Sequence, residues 1–217
     1  MCFSAAASFT ASGVTGALGA ASLSKTRTSK ERPLASIPLL FGIQQLVEGL
    51  VWLSFRYPTF REWNPHFTFI YSLFSHILWP SFVPYAVFTI EPDPDRRRKL
   101  KLFIWLGGLL SAYLLVFMIF WPVTSEVANH SIRYNYHHHF PGLAMGLYLI
   151  CVCASCLLSS LKIIRFFGAA LGLAFLVAYY SFTFTFFSVW CFFGAILSLV
   201  LYFYFWNQSK LKRGSKR

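Results

Sequence analysis

Acidic residues are the scarcest chemistry in this chain. Seven Asp and Glu stand against 19 Lys and Arg in 217 residues, and only 12% of the residues are charged. A soluble domain is nearer a quarter charged, so an ordinary globular protein is excluded. No Walker sequence, G-x-G-x-x-G fingerprint, G-x-S-x-G elbow or H-E-x-x-H pair is present. The sequence basis for a nucleotide-binding enzyme, an α/β-hydrolase or a zincin is therefore missing. Short alternating apolar segments are absent too, which argues against a β-barrel. No internal repeat or long low-complexity tract stands out. No secretory signal peptide is expected, because the first apolar stretch is followed, not preceded, by its basic cluster.

What is present is apolar length. Hydrophobic residues make up 57% of the chain and the mean hydropathy is +0.57. Runs of about 20 apolar residues predict a polytopic membrane protein, and backbone satisfaction in lipid makes the spans helices. The expected fold is all-α, a transmembrane bundle of seven spans. They lie at about Ser4–Ser24, Leu34–Phe55, His66–Ile90, Leu102–Pro122, Pro141–Leu161, Phe166–Phe184 and Phe187–Trp206. The division between the fifth and sixth rests on Lys162–Arg165 and Gly168. Residues 1–206 form one transmembrane domain and 207–217 a basic tail. The longest connections are Glu91–Lys101 and Val123–Phe140.

Basic residues orient this bundle. The even-numbered connections and the C-terminal tail hold 16 of the 19 Lys and Arg, and the opposite side holds only Arg56, Arg61 and Arg133. The positive-inside rule puts the N-terminus outside and the C-terminus inside. The net charge of +12 thus reads as a topology signal, and no nucleic-acid partner is expected. Membrane lipids are the expected surroundings, in the cell membrane. Arg96–Lys101 and Lys210–Arg217 also suit anionic headgroups, although topology alone accounts for them.

Small residues fill the first span. Gly13/Ala17 and Gly16/Ala20 are small-xxx-small pairs, which predicts a helix buried within the bundle. Trp52, Trp63, Trp121, Tyr179, Tyr180 and Trp190 fall near predicted outer ends, as an aromatic belt would.

One acid breaks the apolar pattern. Glu48 lies within LASIPLLFGIQQLVEGLVWLSF, residues 34–55. A carboxylate in a bilayer is costly and marks a functional site by default. Gln44 and Gln45 lie four and three residues before it, on the same helical face. The face suits a site for a proton, a cation or a small polar ligand. The alternative is a structural carboxyl bonded to a neighbouring helix. His76 lies mid-span in the third segment beside Ser72 and Ser75. Pro80 and Pro84 follow, which predicts a kink or local opening. Such a His shuttles protons, binds a metal or bonds another helix.

The outer loop carries His130, Tyr134, His137, His138 and His139, and the last three are consecutive histidines. With His76, the last three are the candidate ligands for zinc or another divalent cation. A plain wet loop accounts for them better, since a zinc site needs ligands in tetrahedral array. Cys151, Cys153 and Cys156 resemble a metal motif on paper, but in an apolar helix they read as buried packing. Cys2 and Cys191 both fall near the outer face, where an oxidising compartment would permit a disulfide.

Several tracts together resemble a known group. MCFSAAASF, IPLLFGIQQLVEGLVWL (37–53), HSIRYNY (130–136), LLSSLKIIRFFG (157–168) and SVWCFFGAILSLVLYF (188–203) resemble an uncharacterised family of bacterial multi-pass membrane proteins. The resemblance spans nearly the whole chain. It implies a small integral membrane protein and makes Gln44, Gln45, Glu48 and Trp52 a hallmark. It implies no activity. Seven spans with an outside N-terminus are also similar in topology to the alkaline ceramidase and adiponectin-receptor-like hydrolases. The intramembrane Asp and the H-x-x-x-H of that group are missing here.

The function expected is therefore binding or conduction of a small polar ligand, cation or proton. Its pocket would lie in the outer half around Glu48, with Gln44, Gln45, His76 and Trp52. A metal-dependent lipid hydrolase, with Glu48 as general base, is the rival, and a purely structural membrane protein the third reading.

Overall fold

Long apolar runs fold as helices throughout. The computed structural model describes residues 4–128 and 130–214, with side-chain surroundings through 209. Helices α1 (Ala5–Ser24) and α2 (Arg32–Arg56) come first. They are followed by α3 (Asn64–Ile90), α4 (Pro94–Phe120), α5 (Pro141–Leu158), α6 (Lys162–Ser181) and α7 (Phe186–Gly214). Among the described residues six helices, α2 to α7, are long and apolar enough to cross a membrane. The first expected span falls short of that measure, because Ala, Gly, Ser and Thr give α1 little hydropathy.

Helix α1 is not enclosed by the bundle. Its buried stripe is only Ser8, Thr15, Gly19 and Ser22, and it packs on α2 and α7 at the edge. Close approach uses Gly16, as expected, together with Gly19 and Gly42, and not Gly13. A Cβ on Gly19 would strike the Leu39 backbone, and one on Gly42 would lie 2.7 Å from Gly16 N, whereas Gly13 faces open space. Where α1 ends, Lys25 Nζ lies 4.6 Å over the Trp206 ring and the Arg27 guanidinium donates to Gln208 O. The first and last helices are thus joined there.

Both long connections differ from the loops expected. Asp93 caps α4, accepting from Asp95 N at 2.9 Å and Arg96 N at 3.2 Å. The basic run therefore forms the first turns of a helix, and only Glu91–Asp93 links it to α3. Past α4 the chain forms an antiparallel hairpin, β1 (Thr124–Ala128) with β2 (Ser131–Asn135), pairing Thr124 with Asn135 and Ala128 with Ser131. It packs through Ile132 and Tyr134 on Val47, Val51 and Tyr71. The break between α5 and α6 lies at residues 159–161, just before Lys162. Helix α7 continues to Gly214, past the boundary at residue 206.

The principal core joins α2, α3, α5, α6 and α7 through Ile37, Phe41, Trp79, Val152, Phe167 and Trp190. Trp190 belongs here and not to an interfacial belt. It is 5% exposed and its indole donates to Leu171 O at 3.0 Å. Cys151, Cys153 and Cys156 are free thiols in this packing. Gly168 lets α6 lie against Cys156 and the Cys153 carbonyl.

Candidate functional site

Helix α3 is widened into a π turn at Leu73–Leu78, just before Trp79-Pro80, and α5 carries a second at Ile150–Ala154. A π turn holds an extra residue and leaves carbonyls short of their usual donors, and it is frequent at functional sites. Here side chains supply the donors. Tyr148 OH donates to Ser75 O at 2.6 Å, and Ser111 Oγ to Ile77 O at 2.7 Å. The wide turn carries His76 at its centre.

His76 is 3% exposed. Its Nδ1 lies 2.8 Å from Ser75 Oγ. The ring is held between Tyr136, at 3.7 Å between centroids, and Phe187, at 4.2 Å. Tyr136 OH meets Ser72 Oγ at 3.1 Å and Ser75 Oγ at 3.4 Å. Burial raises the Tyr136 phenol well above its usual range, against the hydrogen bonds from Ser72 and Ser75 that lower it. The phenol stays protonated and can donate.

These groups form one end of a cavity of about 310 Å³. Its polar lining is His76, His138, Arg133, Asn135, Thr183 and Thr185, with Tyr134, Tyr136 and Tyr148; Phe184, Phe186 and Phe187 give it an aromatic wall. No carboxylate lines it. Arg133 is held at the rim, 3.4 Å from Glu126 and 5.4 Å from the Phe184 ring. The hairpin that delivers Arg133, Tyr134 and Asn135 is anchored to α3 by Thr68 Oγ1 and Ser125 Oγ at 2.7 Å and by the Tyr71–Tyr134 stack at 4.3 Å.

Glu48, Gln44 and Gln45 do not line this cavity. All three are fully buried behind it. Ser188 Oγ donates to Glu48 Oε1 at 2.5 Å and Gln45 Nε2 to Glu48 Oε2 at 3.1 Å. Trp79 Nε1 donates to Gln44 Oε1 at 2.8 Å. Gln45 Oε1 and Trp52 Nε1 are buried with no hydrogen-bond partner among the described residues. Position 187 links the two groups, since Phe187 packs on His76 and its neighbour Ser188 holds Glu48. The sequence-derived pocket is thus resolved into two adjacent parts, a cavity with His76 and a closed polar cluster with Glu48.

The expected metal set does not assemble. Among the described residues no three His, Cys, Asp or Glu side chains are grouped to hold a metal ion, and this applies to His76, His137, His138 and His139. His76 is committed to Ser75 and two rings. His138 lines the cavity, and His139 packs edge-on to Phe117, 5.3 Å away. His137 and His138 border a small recess together with His76 and Tyr136, yet the three imidazoles are not grouped to hold a metal ion. Cys191 is a free, buried thiol. Cys2, its expected disulfide partner, lies outside the described residues.

Sequence reasoning missed Arg133, Tyr136, Tyr148, Thr183 and Thr185. It also missed Glu91, placed in a polar connection yet 3% exposed. Glu91 Oε2 accepts from Ser159 Oγ at 2.7 Å and Ser160 N at 2.9 Å, and Oε1 from Ser160 Oγ and, at 3.2 Å, Asp93 N. Burial raises its pKa, but these four donors outweigh burial and leave it below the ordinary value.

A model for a family of unknown function, DUF6629, matches residues 1–216. No curated protein and no solved structure matches the chain. An uncharacterised family covering the whole chain agrees with the resemblance drawn from the tracts.

Proposed function

We propose a role for this chain from the premise that it belongs to DUF6629, a family of unknown function: it is a multi-pass membrane protein that binds a small polar ligand in its outer half. In this reading α1 is a seventh span, shielded on one side by α2 and α7. The N-terminus lies outside and the C-terminus inside, in the cell membrane, a placement that the distribution of basic residues supports.

The observation that carries the reading is the cavity of about 310 Å³ built on the π turn of α3. Cavities of about this size hold small molecules, with a few polar groups fixing orientation among aromatic walls. Arg133, His76, His138 and the Tyr136 phenol offer donors, and no carboxylate stands among the lining residues; Glu126 pairs with Arg133 from outside the cavity. This favours a neutral or anionic ligand over a cation. Glu48 serves by position: through Ser188 it fixes the start of α7, and with it Phe187 against His76.

Native mass spectrometry in mild detergent tests the proposal, with wild type beside His76→Gln and Tyr136→Phe. A small-molecule mass on wild type that is reduced in both variants supports it. No such mass, together with no thermal shift of wild type across a panel of small carboxylates and phosphate esters, overturns it.

A further inference from the structure

At the other end of the bundle a second recess gathers charge of one sign. Phe88, Pro94, Arg97, Arg98 and Lys101 line a groove of about 350 Å³ where α3 ends and α4 begins. Neither Arg97, Arg98 nor Lys101 has an ion-pair partner among the described residues. The nearby Asp93 is committed to its capping bonds and to Arg96, 3.4 Å away. Arg97 lies with its guanidinium 4.8 Å over the Phe88 ring, and its Nε is buried without a hydrogen-bond partner. An aromatic ring holds this cation in place, but nothing neutralises it. The groove also sits at the positive end of the α4 dipole, where a phosphate is favoured.

The surface next to this groove narrows the choice of anion. Along α4, Arg98 and Lys101 continue into Leu102, Trp105 and Leu109, which are 60%, 73% and 66% exposed. Steps of three and four residues put these five side chains on one face of the helix. Cations at the head and a long apolar strip below them match the shape of a phospholipid. A free phosphate would use only the head, and a soluble acidic protein would leave the strip bare.

We propose that this groove is a binding site for an anionic glycerophospholipid. Its phosphate is held by Arg97, Arg98 and Lys101, and an acyl chain lies along Leu102, Trp105 and Leu109. The site is independent of the outer cavity and persists whether or not that cavity holds a ligand.

The test is native mass spectrometry of the full chain in mild detergent, titrated with phosphatidylglycerol or with phosphatidylcholine of identical acyl chains. Wild type is expected to retain phosphatidylglycerol preferentially. The variant Arg97→Gln/Arg98→Gln/Lys101→Gln is expected to bind it at least about tenfold more weakly, as removal of three cations near a lipid surface requires. A control triple, Arg32→Gln/Lys162→Gln/Arg165→Gln, removes the same charge elsewhere and is expected to keep the preference. Lys101→Glu alone gives a smaller loss in the same direction, and serves if the triple variant is not monodisperse. No preference in wild type overturns the proposal. So does equal loss in the control triple, which would mean attraction by net charge alone. Displacement by millimolar inorganic phosphate also overturns it, because the site would then be one for free anions.

Discussion

Two buried carboxylates differ in how far the sequence reveals them. Glu48 was legible, because an acid inside 22 otherwise uncharged residues has no other reading. Glu91 was not, because it follows an apolar run and precedes Pro92 and Asp93, as a loop residue would. Its burial depends on Ser159 and Ser160, 68 and 69 residues away, and no local pattern encodes that. Glu91→Ala leaves several donors without an acceptor and is expected to cost about 3 kcal/mol of stability, read as a lower melting temperature in detergent. Its folded pKa lies below the unfolded value of 4.5. The stabilisation it gives is therefore full above about pH 4.5 and lost as pH falls through the folded value. Melting temperatures from pH 7 to pH 3 should fall more steeply for wild type than for Glu91→Gln. At Glu48 the expected order is wild type, then Glu48→Gln, then Glu48→Ala. The amide keeps one acceptor, while alanine also leaves a cavity, for about 3 kcal/mol or more. Equal melting temperatures for wild type and Glu48→Ala would refute the structural part assigned to the Ser188 contact.

Among the elements, those carried by apolar length were readable, and those carried by geometry were not. Helices α2 to α7 follow from runs of about 20 apolar residues. The hairpin did not follow, because TSEVA and SIRYN are too short and too polar to stand out beside such runs. The π turns were invisible for a different reason: one additional residue per turn hardly alters an all-apolar pattern. Pro80 and Pro84 did announce an opening in α3, and the π turn is that opening, placed one turn earlier. Helix contact supplies a matched pair of substitutions on α4. A Cβ on Gly107 would run into the Pro80 carbonyl, whereas one on Gly108 meets nothing within 4 Å. Gly107→Ala is expected to lower stability by about 1–3 kcal/mol, and Gly108→Ala to leave it unchanged or raise it by about 0.5 kcal/mol. Thermal unfolding of the two proteins in one detergent decides this. Equal behaviour would show that α3 and α4 do not approach so closely there.

For the molecule as a whole, hydropathy gives the apolar helices, and long-range packing gives the candidate site. The cavity draws residues from α3, the hairpin, α5 and the start of α7, so no single stretch of sequence displays it. Topology can be checked directly. In a Cys2→Ser background, where the four described cysteines are buried, Val127→Cys in the hairpin should react with a membrane-impermeant maleimide in intact cells. Lys99→Cys in the first turns of α4 should react only after permeabilisation, and the reverse pattern would invert the bundle. The packing of α1 also bears on the order in which the chain is made. Helix α1 leaves the ribosome first, yet one of the two helices it rests on is α7, the last. Glu48 likewise enters the bilayer 140 residues before Ser188, the hydroxyl that holds it. The nascent protein therefore spends most of its synthesis with one flank open and an acid still waiting for that hydroxyl. Arrival of α7 closes both at once, which makes completion of the last helix the step that locks the first.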